Sequence, residues 1–281
     1  MKKGTLYIVA TPIGNLEDIT LRALRILKEV ALIAAEDTRR TGRLLSAHGI
    51  STPQTSFHDH NEHEKSSFVL SKLEEGMDVA YVSDAGTPGI SDPGYLLVRE
   101  SVVRCIPVVS VPGPSAAIAA LSISGLPMDS FCFYAFLPSR PAKRRQLLET
   151  LKNEEKTLIF YESPKRIART LEDIRTIFGE RSVALSRELT KIHEETLRGP
   201  VSKILDALKE KKAVKGEITL IIEGTRGHTP NNQGPEDLWH RFQTIQKTVN
   251  LSTRDAVSIV AAQTGLSRKK VYETILGFLK K

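Results

Sequence analysis

Four short segments concentrate the residue types through which a backbone can hold a small ligand. They are Thr11-Pro12-Ile13-Gly14-Asn15, Asp37-Thr38-Arg39-Arg40, Asp84-Ala85-Gly86-Thr87-Pro88-Gly89-Ile90-Ser91-Asp92-Pro93-Gly94 and Pro112-Gly113-Pro114-Ser115-Ala116. Glycine and small residues let a ligand approach closely, and proline stiffens the loop around it. One such segment is ordinary turn chemistry; four together point to a shared ligand site. The chain has neither the glycine spacing of a dinucleotide fold nor a phosphate-binding GxxxxGK[ST] loop. Few cations stand near these glycines, which argues against a phosphate-rich ligand. Backbone recognition with carboxylates nearby suits an adenosine joined to a charged amino acid, although these residues alone do not select one.

Two carboxylates are candidate general bases, Asp37 and Glu188, the second within Ser186-Arg187-Glu188-Leu189-Thr190-Lys191. A hydroxyl is a weak nucleophile and gains from a positioned base. Lys191 is a third candidate if neighbouring cations depress its pKa. Each has a plainer alternative: Asp37 as a helix cap paired with Arg39 or Arg40, and Glu188 as the partner of Lys191. His58, Asp59, His60 and His63 have a spacing that could ligate zinc or iron. They stand where a strand gives way to a helix, where such residues are common caps, and no metal site is expected.

Apolar runs must position these segments. Residues 5–10, 31–36, 54–57, 78–83 and 106–111 read as strands. Between them, Leu21, Leu24, Leu27 and Val30 recur at helical spacing behind Asp18 or Thr20 as cap. Further helices are expected at 37–48, ended by Gly49, at 62–75, ended by Gly76, and near 94–104 and 115–122. Continuous apolar strands alternating with helices predict a largely parallel sheet covered by helices. Ligands bind such sheets at the carboxyl ends of the strands, where all four segments fall.

The second half alternates strands at 131–136, 157–162, 182–189 and 217–223 with helices at 141–152, 164–178 and 201–211; residues 194–199 read as a hairpin partner. The expected organisation is an α/β domain over 1–125, a second over 126–225, a polar linker at 226–236 and a helical tail over 237–281. Within the tail, two short helices meet at a glycine. Arg268, Lys269 and Lys270 open the second helix, as in a helix-turn-helix that contacts nucleic acid, or as in a simple helical hairpin.

The 281 residues suffice for a sizeable core, and the composition excludes a disordered chain and a disulfide scaffold. Two cysteines outside any metal-ligand spacing suit a cytoplasmic chain. The longest apolar stretch, Val108 to Met128, is interrupted by Pro112, Pro114, Gly125 and Pro127, so no membrane span is expected. The first apolar run ends at Pro12, too early for a signal peptide. Charge is uneven: 12 Lys+Arg against 15 Asp+Glu over 1–130, 20 against 14 over 131–230, and 8 against 4 over 231–281. A polyanion meeting the back half is the functional reading of that asymmetry.

The blocks TLYIVATPIGNLEDIT, AAEDTRRTGRLL, FHDHNE, YVSDAGTPGISDPG, VPGPSA, FYESPKR and SRELTKIHEE follow one another over about residues 4–225. Together they resemble the small-subunit ribosomal RNA cytidine 2′-O-methyltransferase family of the tetrapyrrole-methylase-like superfamily. The resemblance implies two α/β domains of the tetrapyrrole methylase type, S-adenosylmethionine in the interdomain cleft, and a homodimer. It also implies methylation of a cytidine ribose in the decoding region of the small ribosomal subunit. Carried over residue by residue, it puts Pro12, Ile13, Gly86, Thr87, Pro88, Ile90, Ser115, Ala116 and Tyr161 at the cofactor. Thr87 stands where the superfamily's Gly-Asp-Pro motif has its acid, so Asp84 is expected to supply that carboxylate.

Arg39, Arg40, Lys165, Arg166, Arg187 and Lys191 are expected to position RNA, with most RNA affinity behind residue 130. Tyr161 could stack on a splayed base instead, and Lys143, Arg144 and Arg145 form either an RNA-facing or a solvated helix face. Two rival functions share these features. One is a tetrapyrrole C-methyltransferase, disfavoured by the basic back half and the altered loop. The other is a non-catalytic ribosome-assembly protein that binds RNA.

Overall fold

In the first half of the chain the strands are buried on both sides, so alternate residues feed two different cores. β1 (Leu6–Val9), β2 (Leu32–Ala35), β3 (Gln54–Ser56), β4 (Val79–Val82) and β5 (Val108–Val111) form one sheet in the order β3-β2-β4-β1-β5, with every pairing parallel. On one face Val9, Ile33, Ala35, Ala80 and Val82 pack against α1 (Leu21–Glu29) and α2 (Thr38–Ala47). On the other, Leu6, Ala34, Val79 and Tyr81 pack against α3 (Glu62–Glu74) and α4 (Tyr95–Val103). This is the three-layer arrangement that continuous apolar strands predict. Thr20, not Asp18, caps α1: its hydroxyl accepts from the Ala23 N–H at 3.1 Å.

The computed structural model describes residues 2–58, 61–211, 213–225, 235–249, 252–264 and 266–279. Asp59, His60 and most of the expected linker (226–234) lie outside the described residues.

The second sheet is mixed. β6 (Phe131–Phe136), β7 (Thr157–Glu162), β8 (Ser182–Arg187), β9 (Glu195–Pro200) and β10 (Ile218–Ile222) run in the order β6-β7-β10-β8-β9. Only β6 and β7 pair parallel; the other three pairings are antiparallel. Leu158, Phe160, Val183, Leu185, Leu220 and Ile222 pack under α6 (Pro141–Leu151), α7 (Ile167–Phe178) and α8 (Val201–Lys209). The opposite face, with Ile159, Ala184 and Ile221, is covered by Ala117, Ala120 and Leu121 of α5 (Ala116–Ser124). A helix that follows the last strand of the first sheet therefore seals the second. Ile13, from the loop after β1, belongs to the same cluster, so the strand ends of the first sheet meet a face of the second.

Met1–Thr225 and Arg226–Lys281 form separate compact units. The second holds α9 (Pro235–Val249), α10 (Thr253–Thr264) and α11 (Arg268–Leu279) around Leu238, Phe242, Ala256, Val260, Val271 and Ile275. The Ser267 hydroxyl accepts from the Lys270 N–H at 3.3 Å and caps α11, leaving Arg268, Lys269 and Lys270 exposed on its first turn. No helix among the described residues is long and apolar enough to cross a membrane.

Candidate active site

Backbone hydrogen bonds draw the glycine- and proline-rich loops into one wall. The Thr11 N–H donates to the Gly86 carbonyl at 2.9 Å, and the Gly86 N–H returns to the Thr11 carbonyl at 3.0 Å. The Thr87 hydroxyl donates to the Pro114 carbonyl at 3.3 Å, tying the loop after β4 to the loop after β5. Gly86 has φ +79° and Gly89 φ +82°, a region that suits glycine.

This wall faces the second sheet across a cavity of about 300 Å³. Ile13, Gly86, Thr87, Ile90, Ser115 and Ala116 line it from the first half, as the sequence expects, and Tyr161 lines it from the end of β7. The loop before β10 closes it with Gly216 and Glu217. Three carboxylates that the sequence did not single out, Asp92, Glu162 and Glu217, are in the lining, and among the described residues no lysine or arginine is. The cavity is therefore apolar with an acidic bias, a chemistry for a cationic ligand. Phe136 was also missed. A shift of register between Phe133 and Phe136, with Ala135 at φ +54°, brings it to within 5.6 Å of the Tyr161 ring, and Phe133 meets the same ring at 5.0 Å. Alternation along β6 gives no hint of this bulge.

Burial raises the Tyr161 pKa above its ordinary value; the Ala117 N–H opposes this, and the charge of Asp92 adds to it. Tyr161 thus stays protonated beside the first turn of α5, facing Asp92.

Four residues other than glycine with positive φ belong to the segments around the cavity: Ser91 at +70°, Ala135 at +54°, Glu188 at +52° and Thr190 at +65°. Such strain persists where the surroundings over-determine it, commonly at functional sites. The 188–191 turn is pressed against the front loop: a Cβ on Gly14 would sit 2.5 Å from Lys191 Cγ and 2.7 Å from Thr190 Oγ1. Only glycine fits there.

The other expected site residues lie outside the cavity lining. Pro88 is buried within its own loop. Pro12 and Asp84 line a smaller depression on the other side of the Thr11–Gly86 bridge, beside α2. Asp84 is therefore not the carboxylate that faces the large cavity; Asp92, eight residues further on, is in its lining.

Asp37 caps α2, accepting from the Arg39 N–H at 2.9 Å and from the Arg39 guanidinium at 2.9 and 3.2 Å. Those hydrogen bonds hold its carboxyl down to about 2, the range of a weak base. Glu188 accepts from Lys191 Nζ at 2.9 Å and from the Glu217 N–H at 3.0 Å. The Lys191 hydrogen bond leads in holding the Glu188 carboxyl below its ordinary value. The plainer alternative describes the geometry of both residues. For Lys191, burial pulls the pKa down, but Glu188 and Glu217 outweigh it and the ammonium is held above its ordinary range. That corrects the expectation of a depressed lysine base, because its neighbours are anions.

The cations expected to meet RNA fall into two classes. Arg39 and Arg40 have side chains 87% and 60% exposed, near Asp37 and Asp84. Arg166 is bound to fully buried Glu162 at 2.6 Å, Arg187 to Glu195 at 3.2 Å, and Lys191 to Glu188 and Glu217. Lys165 is exposed. Arg144 leaves the expected surface set: it is 4% exposed and bound to Asp173 at 2.6 Å. His58 is held by Asn61, whose Oδ1 accepts the His58 N–H at 2.8 Å, and His63 is exposed on α3.

The description Tetrapyrrole (Corrin/Porphyrin) Methylases belongs to a family model that matches residues 5–205. Two relatives named Ribosomal RNA small subunit methyltransferase I align over nearly the whole chain. The one from Escherichia coli O157:H7 is 47% identical, over 98% of this chain and 95% of its own length. The one from Halalkalibacterium halodurans is 45% identical, over 96% and 94%. Among solved structures, a uroporphyrin-III C-methyltransferase from Thermus thermophilus complexed with S-adenosyl homocysteine superposes with a TM-score of 0.55. It is 17% identical, over 78% of this chain and 97% of that one, a likeness of fold.

Proposed function

Because the chain belongs to the tetrapyrrole (corrin/porphyrin) methylase family and, with its near-full-length relatives, to the small-subunit ribosomal RNA methyltransferases I, we propose that it methylates the ribose 2′-hydroxyl of a cytidine in the decoding region of small-subunit ribosomal RNA, using S-adenosylmethionine. The observation that carries the cofactor reading is the cavity between the strand-end loops and the second sheet. Among the described residues its lining holds Asp92, Glu162 and Glu217 and no cation, which suits a ligand bearing a sulfonium and an ammonium group. Its volume, about 300 Å³, is at the lower end for small-molecule sites. When bound, S-adenosylmethionine supplies an electrophilic methyl group whose departure needs no acid.

The protein's own residues then have three tasks. Gly86 and Thr87 hold a backbone wall against the ligand, and Ile13, Ile90 and Ala116 exclude water from it. Tyr161 and Phe136 offer aromatic faces on the opposite side. Alignment of nucleophile and methyl group accounts for a large part of the rate, because it replaces a chance encounter. Asp92 lies in the cavity lining, and its charge adds to the raised pKa of Tyr161. Glu188 positions the wall through Lys191 and Glu217, and Asp37 fixes the start of α2.

The substrate is met by exposed Arg39, Arg40 and Lys165, and by Arg268, Lys269 and Lys270 of the tail. A homodimer accords with apolar side chains left exposed on α4 and α5: Tyr95 at 72%, Val103 at 70% and Ile118 at 51%. Sedimentation of the purified chain tests that point. Mapping of 2′-O-methylation on ribosomal RNA from cells with and without the protein tests the function. A modification profile unchanged by its loss overturns the reading. Transfer of label from S-adenosylmethionine to a cyclic tetrapyrrole and not to small ribosomal subunits returns the tetrapyrrole alternative.

A further inference from the structure

The smaller depression, about 140 Å³, lies across the Thr11–Gly86 bridge from the acidic cavity, and its chemistry differs. Pro12 and Leu16 give it apolar surface, Arg40 and Arg43 supply donors, and Ser83 and Asp84 complete the lining used here. It is well below the roughly 300–1,000 Å³ of ordinary cofactor sites and suits a single flat ring. Asp84 reaches Arg40 through Oδ2 at 3.4 Å, while its Oδ1 is buried with no hydrogen-bond partner. Buried carboxylate oxygens are nearly always satisfied, so an orphaned one gains from a donor once the side chain turns toward it.

The geometry points to this depression as the pocket for the target base, with the Asp84 carboxylate, turned to bring Oδ1 toward the depression, accepting the exocyclic amine of cytosine. This inference rests on the methyltransferase reading above. Cytosine presents one amine beside a ring-nitrogen acceptor and a carbonyl acceptor, the pattern complementary to one carboxylate oxygen beside two guanidinium groups. Uracil presents a carbonyl oxygen where cytosine has its amine, placing acceptor against acceptor. Adenine has an amine but only one acceptor, its N1, beside it on that edge, so it offers no match for a second guanidinium group. The connection to the reaction is direct. Pro12 and Asp84 line the small pocket, while their chain neighbours Ile13 and Ala85 line the large one. Consecutive residues are about 3.8 Å apart, so a base seated on one side of the bridge leaves its ribose at the edge of the other. The second arginine, Arg43, was not among the expected RNA contacts; one helical turn before α2 ends, it becomes a candidate only because α2 packs beside this loop.

The test measures tritium transfer from S-adenosylmethionine to small ribosomal subunits carrying either cytidine or uridine at the target position, with cofactor affinity measured by calorimetry in parallel. The unaltered protein should prefer cytidine by about 5- to 150-fold in kcat/KM, the range of one good base contact. Asp84→Asn keeps the shape but adds a donor, so the preference should fall at least about tenfold and uridine should gain. Asp84→Ala should lose the preference without that gain. Both should bind S-adenosylmethionine as the unaltered protein does, which also shows that they are folded. An unchanged cytidine-to-uridine ratio in both variants overturns the base pocket. A selective loss of cofactor affinity also overturns it and returns Asp84 to the cofactor. Absence of transfer by the unaltered protein to either subunit is a different failure, because it overturns the methylation reading itself.

Discussion

The cations that the sequence marks as RNA contacts sit mostly on carboxylates in the back half of the body and mostly in solvent in the front half. Residues 131–230 hold 20 Lys+Arg against 14 Asp+Glu, yet Arg144, Arg166, Arg187 and Lys191 there are bound to carboxylates, with side chains only 4% to 29% exposed. Residues 1–130 hold 12 against 15, yet Arg39 and Arg40 stand largely in solvent at the strand ends. Their pairings with Asp37 and Asp84 are of the exposed kind, worth little to stability, and can be exchanged for a phosphate. Net charge by segment therefore does not by itself say which cations are open to an anion. A cation fixed on a buried carboxylate maintains the fold and is not available to a phosphate.

The largest effect that sharpens this contrast is on stability. Arg144→Ala leaves Asp173 without its buried partner, and Arg166→Ala leaves Glu162 uncompensated in the core. Each should cost about 3–5 kcal/mol, as breaking a buried pair does. Urea unfolding reads this directly, and losses below about 1 kcal/mol would remove the structural role given to these arginines.

Gly86→Val probes the front half by its backbone. At φ +79° a β-branched residue is strained by about 1–3 kcal/mol, and its side chain disturbs the cavity wall. The nearest atoms to a Cβ there, Ile13 Cγ2 at 3.5 Å and the Pro114 carbonyl at 3.7 Å, make ordinary contacts, so the fold should survive. S-adenosylmethionine affinity should fall by more than about tenfold, or about 1.4 kcal/mol. Normal calorimetric binding by this variant would show that the loop does not hold the cofactor.

A smaller effect is expected from Arg39→Gln combined with Arg40→Gln. Stability should change by no more than about 0.5 kcal/mol, as for exposed substitutions. The slope of log affinity for RNA against log salt should fall by about 1.4 if each contacts one phosphate of a single strand, at about 0.7 per contact. Lys165→Gln alone should lower it by about half as much. If the double variant keeps the full slope, RNA is not held by the front half and the comparison above fails.

The smallest effect is a pH dependence. The folded state holds Glu188 below its ordinary 4.5, so its contribution is present above that value and is lost as pH falls through the depressed one. Lys191 is held above its ordinary 10.5, so its share is present below that value and is lost as pH rises through the raised one. Glu188→Gln should therefore lose less stability than the unaltered protein on acidification below about pH 4.5. Parallel acid titrations followed by circular dichroism compare them, and equal losses would mean that the pair contributes nothing.

Much of the frame was legible. Each strand and each α-helix of the body forms within a few residues of the stretch expected from apolar periods, glycine stops and caps, because those signals act within a few residues of chain. The four loops were legible too, since alternation of strand and helix puts them at strand ends whatever the strand order. The antiparallel pairings of β10 were not legible. A five-residue run of buried residues, Ile218–Ile222, reads alike in either direction. Nor was the packing of α5 against the second sheet. Residues 116–124 are apolar or small all round, so no stripe says which neighbour they cover.

The sequence by itself determined the elements, the glycine and proline loops at their ends, and the family, all of which follow from residue types at short spacing. Only the tertiary structure decided which carboxylate enters which space. Asp84 and Asp92 occupy one loop of small residues and are equally plausible on paper. The bridge between Thr11 and Gly86 and the left-handed turn at Ser91 put Asp84 in one depression and Asp92 in the other. The tertiary structure likewise decided which cations stay free, because Arg144 meets Asp173 from another helix, 29 residues away in the chain. Pairing across such separations depends on how helices and sheets pack, and local spacing carries no record of it.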